Sequence, residues 1–403
     1  MTDPQGTKQC QVFLQFCTLQ GFSNLRKVGF SKFIGISMIT ITWLFFLLSW
    51  TILVSCGKNE LESTGKYKII HNDAIGILEQ EENFQLQLNE NFSIGKDDTS
   101  FFTYATHIAL DSEGNIFVLD RGNLRIGKFD SAGNLIRFFG RRGNGPGEFL
   151  YPRDMGISPD CVLCVLDNKR IRMIKYSTDG EFLGEFALGS RRYKKMLLRS
   201  NKSIIVIGPK NDKIFQIYSM DGKFIRSVGA PIDFFDANRK YLRRFNKRNR
   251  LYFRTPGTVA IDKNDFIIHS YFFANRLRIF DNNYQVKYVI ERDDPDFTPV
   301  IELEAGFQFT AGCVSILRLS DGRIIQFLHY SKDFENPDDD VVRMEIYDDN
   351  GRYLAGKRMD FEGYGAAVDE NDNILFVVNK AEKSYITSYR LLMKNNFQTQ
   401  RPF

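Results

Sequence analysis

The feature that most constrains the fold is a phrase that occurs six times: an apolar residue, a short polar turn and a β-rich run. It reads L-D-S-E-G-N-I-F-V in its first copy and V-D-E-N-D-N-I-L-F in its last. The copies begin at Leu110, Ile157, Leu198, Ile261, Leu319 and Val368. Their spacing of roughly 40 to 60 residues is typical of propeller blades.

A second phrase follows each first one, and together they define a unit of four strands. It is an aromatic residue, a turn and another apolar run, with copies beginning at Phe129, Tyr176, Tyr218, Phe280, Tyr347 and Tyr389. The last copy lacks both the turn and the following strand. We therefore predict an all-β fold, a six-bladed β-propeller of four-stranded antiparallel blades. Because an open ring would expose two sheet edges, we expect the N-terminal segment Asn83 to Gly95 to supply the missing outer strand.

One blade junction carries a glycine-rich stretch, F-F-G-R-R-G-N-G-P-G-E-F-L-Y-P-R-D-M-G-I. A phosphate-binding loop would need Lys and Ser/Thr after its last glycine, at the start of a helix, but Glu148 and Phe149 follow. We expect instead a tight crossover, with Phe149 packed between two blades. Positive φ angles are expected at its glycines, Gly140, Gly143, Gly145 and Gly147.

This stretch and the repeats resemble the bacterial six-bladed β-propeller lipoproteins related to NHL repeats, over about residues 83–394. The basic third strands, such as K-R-I-R-M-I from Lys169, are also similar. The resemblance implies the propeller fold and attachment to the cell envelope. Only one junction carries the full glycine phrase, so no particular activity follows from the resemblance.

The N-terminal region is typical of an exported protein. The uncharged run from Phe33 to Val54 follows three basic residues and precedes L-V-S-C, as in a secretory signal. The L-V-S-C ending resembles the lipobox of bacterial lipoproteins, which implies cleavage before Cys56 and lipid attached to that residue. An uncleaved transmembrane anchor is the alternative, since the run is long enough to span a bilayer. Both place the later residues outside the cytoplasm, at the outer membrane or the periplasmic face of a Gram-negative envelope.

These patterns divide the chain into four parts. Residues 1–55 are expected to be a signal peptide with an over-extended start, translation beginning near Leu25. Residues 56–82 contain the lipid site and a polar tether. The propeller spans residues 83–394, and residues 395–403 form a C-terminal tail.

The charges and the cysteines argue against several functions. A net charge of +5, from 54 basic and 49 acidic residues spread along the chain, does not indicate nucleic-acid binding. Cys161 and Cys164, three apart on a strand, should point to opposite faces, so we expect buried, inert thiols rather than a zinc site. The calcium-like D-x-N-x-N run at Asp369 has Lys380 as its twelfth residue, which favours an ordinary hairpin turn. No metal or cofactor is predicted.

Candidate binding residues lie at the blade entries, around the central channel. His107 begins an inner strand, and basic or aromatic residues precede other inner strands, including the cluster from Arg191 to Lys195. Guanidinium and phenol groups suit anionic or sugar-like ligands, through bidentate hydrogen bonds and stacking. A solvated rim without a ligand is the alternative. The predicted ligand-binding residues are Tyr104, His107, Tyr151, Arg153, Arg192, Arg254 and Tyr364.

We therefore expect a monomeric lipoprotein, held at the membrane by its lipid, whose propeller binds a peptide, a glycan or a partner protein at the channel mouth. The alternative is a metal-dependent enzyme of the lyase or lactone hydrolase type. Such an enzyme needs His, Asp or Glu side chains that converge from several inner strands, and the sequence offers only His107. No catalytic residue is predicted. A structural subunit of an envelope complex is a third alternative.

The lipid site provides a first test. Replacing Cys56 by Ala removes the thiol that would carry the lipid, so the protein should move from the membrane fraction to the soluble fraction of cells. Fractionation followed by immunoblotting measures this change. Retention of the Cys56→Ala protein in the membrane would instead support the uncleaved anchor.

Overall fold

A computed structural model of the chain describes most of the repeat region. The described residues are 67–81, 84–97, 101–190, 193–230, 257–262, 264–271, 275–294, 300–303, 306–309, 311–331, 340–359, 363–380 and 383–394. The predicted lipid site Cys56 and the apolar run from Phe33 to Val54 lie outside these residues. Within them, no helix is long and apolar enough to cross a membrane.

Six sheets form the blades, and in blades 1 to 5 the four antiparallel strands follow chain order from the channel outward. We name the four strands of a blade inner, second, third and outer. Blade 1 consists of Ala105–Leu110, Ile116–Asp120, Arg125–Phe129 and Leu135–Phe139. Blade 2 consists of Pro152–Ile157, Val162–Asp167, Arg172–Ser177 and Phe182–Ala187. Blade 3 consists of Lys195–Leu198, Ser203–Lys210, Lys213–Ser219 and Phe224–Val228.

The second half of the chain forms the other three blades. Blade 4 consists of Gly257–Ile261, Ile267–Tyr271, Arg276–Phe280 and Val286–Arg292. Blade 5 consists of Ala311–Arg318, Ile324–Ser331, Asp340–Tyr347 and Tyr353–Arg358. Blade 6 contributes Gly363–Val368, Asn373–Lys380 and Lys383–Lys394, and its outer strand comes from the N-terminal side of the domain. Shorter elements are the 3-10 helix Leu78–Gln80, the strand pair Arg141–Arg142 with Glu148–Phe149, and the hairpin Val300–Leu303 with Gly306–Phe309.

Two N-terminal strands complete the sheets. Gln85–Ile94 pairs antiparallel with Lys383–Lys394 and is the outer strand of blade 6. This confirms the predicted six-bladed propeller closed by an N-terminal strand. An earlier strand, Lys68–Asn72, adds to the outer strand of blade 4 in parallel and makes that sheet five-stranded. The sequence did not predict this fifth strand.

The inner strands form a closed ring, because each contacts the inner strands of both neighbouring blades. We call the end of the ring where these strands begin the entry face, and the end where they finish the exit face. One position is equivalent in all six: it lies three residues before the last paired residue of the inner strand. It is occupied in turn by His107, Asp154, Lys195, Thr258, Ser315 and Gly365.

The glycine-rich junction packs as the sequence indicates, with one difference. Phe149 is fully buried with residues of blades 1 and 2, and its ring centroid lies 5.9 Å from that of Tyr176. Gly140 has φ +77°, and a Cβ there would come within 2.4 Å of the Phe149 ring. Positive φ is also found at Gly143 and Gly147 but not at Gly145. The crossover is therefore built for close approach of backbone and ring.

The expectation that both cysteines of C-V-L-C are buried is wrong for Cys161. This residue is exposed, in the turn before the strand rather than on it, with φ +58°. Cys164 is fully buried, and burial raises the pKa of its thiol to about 12.

Asp369 caps its own hairpin by accepting from the backbone N–H groups of Asn371 and Asn373. The Asp369 carboxylate therefore stabilises the ordinary hairpin turn that the sequence predicts at this position.

A buried ionic group joins blades 4 and 5. Arg292 donates from Nη2 to Oε1 of Glu345 at 2.6 Å and to Oδ2 of Asp294 at 2.5 Å. The Glu345 side chain is fully buried, and its Oε2 also accepts from the hydroxyl of Tyr347 at 2.7 Å. Buried charges are tolerated only when they are paired and hydrogen-bonded in this way.

Removing one partner of this group should destabilise the propeller. Glu345→Gln removes the carboxylate that accepts from both Nε and Nη2 of the buried Arg292, and we expect a loss of about 3 kcal/mol in the free energy of unfolding. Glu90→Gln is the matched control because Glu90 pairs with Lys96 on the surface, and it should cost about 0.5 kcal/mol. Urea denaturation measures both. Equal losses in the two variants would contradict the structural importance of the buried pair.

Candidate functional site

Three inner strands bring an imidazole, a carboxylate and an ammonium group together in the channel. His107, Asp154 and Lys195 occupy the equivalent position of blades 1, 2 and 3. Nε2 of His107 lies 3.1 Å from Oδ1 of Asp154 and 3.1 Å from Nζ of Lys195. Nζ of Lys195 is 3.7 Å from the same carboxylate oxygen. We call these three residues the channel triad.

Neighbouring hydrogen bonds fix the ring of His107. Nδ1 of His107 lies 2.9 Å from the hydroxyl oxygen of Thr106, which is itself 3.5 Å from the carbonyl oxygen of Leu119. A neutral imidazole carries its proton on one of its two nitrogens. Protonated at Nδ1, the ring accepts from the Lys195 ammonium at Nε2; protonated at Nε2, it donates to the Asp154 carboxylate. The other carboxylate oxygen of Asp154 accepts from the backbone N–H of Met196 at 2.6 Å.

Burial and local charge set the protonation of the triad. Burial is the largest cause that holds the pKa of His107 well below its usual value, and the cations Lys195, Arg153 and Arg121 lower it further. His107 is therefore neutral at neutral pH. Burial also raises the pKa of Asp154, against the opposing effect of Lys195. Lys195 thus affects both neighbours: it lowers the pKa of His107 and opposes the rise in the pKa of Asp154.

Above the triad, arginine and tyrosine side chains form the channel mouth. The guanidinium of Arg121 lies 4.5 Å from the ring centroid of Tyr151 and 5.8 Å from that of Tyr104. Arg121, and to a smaller extent Arg153, lower the pKa of the Tyr151 hydroxyl by charge and hydrogen bonding. Tyr104 and Tyr151 are 41% and 44% exposed, so part of each side chain is in contact with solvent.

Two buried aspartates place these tyrosines. Asp120 and Asp167 end the second strands of blades 1 and 2, and both are fully buried. Asp120 accepts from the backbone N–H of Tyr104 at 3.1 Å, and Asp167 from that of Tyr151 at 3.0 Å. The same contact in two blades gives the two tyrosines equivalent positions at the entry face.

The other half of the ring has small side chains at the equivalent position. Thr258 and Ser315 are buried, and Gly365 has no side chain. A Cβ at Gly365 would lie 2.5 Å from the carbonyl oxygen of Thr106, so glycine permits close packing of blades 6 and 1. The charged groups of the equivalent position therefore belong to blades 1 to 3. Among the described residues, no three His, Cys, Asp or Glu side chains are placed to hold a metal ion.

Four of the predicted site residues lie in this region: Tyr104, His107, Tyr151 and Arg153. Arg192 and Arg254 fall outside the described residues. Tyr364 is on the inner strand of blade 6, but its side chain is not described.

Sequence reasoning missed Arg121 and Asp154, and it placed Lys195 only in a general basic cluster. A signal was present for two of these three. His107, Asp154 and Lys195 each precede the first apolar residue of their repeat, Leu110, Ile157 or Leu198, by the same three positions.

Comparisons with known proteins agree with this architecture. A family model described as a six-bladed β-propeller, DUF5128, matches residues 96–198. A candidate exported protein from Bacteroides fragilis aligns over 80% of this chain and 99% of its own, with 11% identity and a TM-score of 0.55. A member of the DUF4221 family from Bacteroides vulgatus aligns over 76% of this chain and 99% of its own, with 10% identity and a TM-score of 0.53. No curated protein matches the sequence. At such low identities the likeness establishes the propeller fold alone.

The triad predicts a measurable coupling between Lys195 and His107. Lys195→Met removes one of the cations that oppose protonation, so the pKa of His107 should rise. Histidine ring resonances followed by NMR during an acid titration measure it, with His107→Gln used for assignment. Lys202→Met is the control, because Lys202 pairs with Asp160 near the exit face. A His107 that titrates at its ordinary pH in the unaltered protein would contradict the arrangement described above.

Proposed function

We propose that the chain is a cell-envelope lipoprotein whose propeller binds a carboxylate-bearing ligand at the channel mouth of blades 1 to 3. The observation that carries this proposal is the arrangement of cations at the entry face: the Lys195 ammonium lies 3.1 Å from Nε2 of His107, and the Arg121 guanidinium lies 4.5 Å from the ring centroid of Tyr151. Arg153 neighbours Asp154 on the inner strand of blade 2. A ligand carboxylate would add a counter-charge to these cations.

The geometry of the cations supports an anionic ligand. Arginine binds a carboxylate through two parallel N–H donors, and two arginines stand at this mouth. The carboxylate of Asp154 is 5% exposed and is already used by the N–H of Met196, so it offers little competition for them. Recognition by Arg121 and Arg153 would leave Lys195 to reach a second oxygen deeper in the channel.

The two tyrosines indicate what accompanies the carboxylate. An exposed aromatic face beside a guanidinium favours a flat or apolar group, such as a sugar ring or a peptide side chain. Uronic-acid oligosaccharides and acidic peptides share this combination of carboxylate and stacking surface. We infer that the ligand comes from one of these two sources.

The proposed location rests on the N-terminal pattern. A basic region, an apolar run and L-V-S-C precede Cys56, in the order found in exported lipoproteins. The similar propeller from Bacteroides fragilis is described as a candidate exported protein, which agrees with this location. A lipid on Cys56 would hold the propeller at the envelope, where glycans and peptides from outside the cell are met.

A binding experiment tests the site. Titrating the full chain with polygalacturonate oligomers and with Glu-rich peptides should show saturable binding to at least one of them, weakened by salt because the contacts are ionic. The double change Arg121→Ala and Arg153→Ala should weaken that binding at least about a hundredfold, since each charge-assisted contact contributes about 1.5 to 3 kcal/mol. Isothermal titration calorimetry measures the affinities.

The control for this experiment is Arg137→Ala, which removes an exposed arginine from the outer strand of blade 1. It should bind like the unaltered protein. Neutral galactose oligomers and Gln-rich peptides complete the comparison, and they should bind weakly. Unchanged affinity in the double variant, or equal affinity for neutral and acidic ligands, would refute the proposed site.

A further inference from the structure

Pairs of exposed apolar residues begin the outer strands of three consecutive blades. Among the described residues, ten large apolar or aromatic side chains are exposed, and six of them are in these pairs. They are Leu135 and Ile136 in blade 1, Phe182 and Leu183 in blade 2, and Phe224 and Ile225 in blade 3, between 40% and 51% exposed. We call this surface the apolar rim. Repetition of one pattern at one position distinguishes it from scattered surface residues.

In blade 5 the corresponding position is covered by the chain itself. Tyr353 begins that outer strand and is only 2% exposed. Its N–H donates to Oδ1 of Asn72 at 2.8 Å, and its carbonyl accepts from the N–H of Ile77 at 3.1 Å. Further along the strand, the N–H of Gly356 donates to Oε1 of Glu79 at 2.9 Å. An N-terminal segment thus satisfies the backbone of this sheet edge.

Blade 4 is covered by the same segment in a more regular way. Strand Lys68–Asn72 runs parallel to the outer strand of blade 4, with Lys68 opposite Tyr288 and Asn72 opposite Arg292. An outer edge of this propeller therefore accepts an additional strand. The outer strands of blades 1 to 3 have no such partner among the described residues. A bare edge with apolar side chains is a template for strand addition.

The charge around the apolar rim indicates the chemistry of an added strand. The apolar pairs directly follow turns at the exit face. The exit-face turns of blades 1 to 3 contain more carboxylate groups than ammonium groups. Their carboxylates are Asp111, Glu113, Asp130, Asp160, Asp179, Glu181 and Asp221, and their exposed ammonium groups are Lys202 and Lys223. Two of these carboxylates are paired, Asp179 with the buried Lys128 and Asp160 with Lys202, so five carboxylates stand against one unpaired ammonium group of this set. Arg137 and Arg226 stand further along the outer strands. An anionic lipid surface is disfavoured next to such turns, whereas a basic segment is favoured.

The strand that already covers blade 4 has this character. Its sequence is K-I-I-H-N, and it starts with Lys68 at the exit-face end, where the outer strand of blade 4 leaves its turn. We propose that the apolar rim of blades 1 to 3 binds an extended segment of a partner protein, with apolar residues next to Lys or Arg, as an added β-strand. This surface lies at the exit face and is separate from the channel mouth.

A peptide that copies the strand of blade 4 is the probe. The full chain in dodecyl maltoside is titrated with a fluorescein-labelled peptide of residues 65–72, G-K-Y-K-I-I-H-N. Fluorescence anisotropy should show saturable binding. The triple variant Ile136→Ser, Leu183→Ser and Ile225→Ser should weaken it at least about tenfold, which corresponds to about 1.4 kcal/mol. A peptide with Lys66→Glu and Lys68→Glu should also bind more weakly, because it meets the acidic turns.

Controls and a second measurement make the test decisive. Ile75→Ser with Ile77→Ser removes exposed apolar residues from the N-terminal segment that covers blade 5, and it should leave peptide binding unchanged. Hydrogen exchange should show new amide protection in the outer strands of blades 1 to 3 when the peptide is added. Absence of binding, or binding that is equal in the triple variant, would overturn the proposal.

Two further outcomes would assign the surface to another occupant. Protection of the same strands in phosphatidylglycerol nanodiscs without peptide would assign the apolar rim to lipid. A dimer that sediments as such and dissociates in the triple variant would assign it to a second copy of the chain. Either outcome would overturn the proposal of a partner protein.

Discussion

The pairing of Gln85–Ile94 with Lys383–Lys394 is the interaction on which the other features depend. A ring of blades stays closed only if the two ends of the domain are joined. Here both ends contribute strands to blade 6, the N-terminal end its outer strand and the C-terminal end its other three strands. Each blade packs its apolar faces on its neighbours, as in the cluster of Phe117, Leu163 and Tyr176 between blades 1 and 2. Opening blade 6 would expose two such faces at once. Closure therefore fixes the position of every inner strand in the ring.

Once the inner strands are fixed, one position in each of them faces the same region. The fold requires only that the residue at this position fits the available space, and the residue type differs between the two halves of the ring. His107, Asp154 and Lys195 bring hydrogen-bonding and charged groups to one side, while Thr258, Ser315 and Gly365 keep the other side small. A symmetric scaffold thus carries an asymmetric charge distribution, and this asymmetry is what the proposed binding site uses.

Most of the fold was predictable from sequence because turn chemistry and strand alternation are local. The six copies of the first phrase, the five complete copies of the second and the missing final strand led directly to the closed propeller.

The site was only partly predictable. Tyr104, His107, Tyr151 and Arg153 follow from their places before or at the start of inner strands. Arg121 lies in a turn between second and third strands, and only the three-dimensional packing of blades 1 and 2 brings it to Tyr151. The position of Cys161 was predicted wrongly for a local reason. The turn is one residue longer than expected, so Cys161 lies in the turn and the strand begins at Val162.

The parallel strand Lys68–Asn72 also has a mechanical consequence. Tension applied at the N-terminal side of Lys68 would pull along the axis of this strand, and its hydrogen bonds with Tyr288 to Arg292 run across that axis. All of these bonds would share the load together, whereas a strand peeled from its end breaks them one at a time. The contacts of Asn72, Ile77 and Glu79 with blade 5 come next in line. The strand added to blade 4 would therefore bear such tension before it reaches Gln85–Ile94, the strand that closes blade 6.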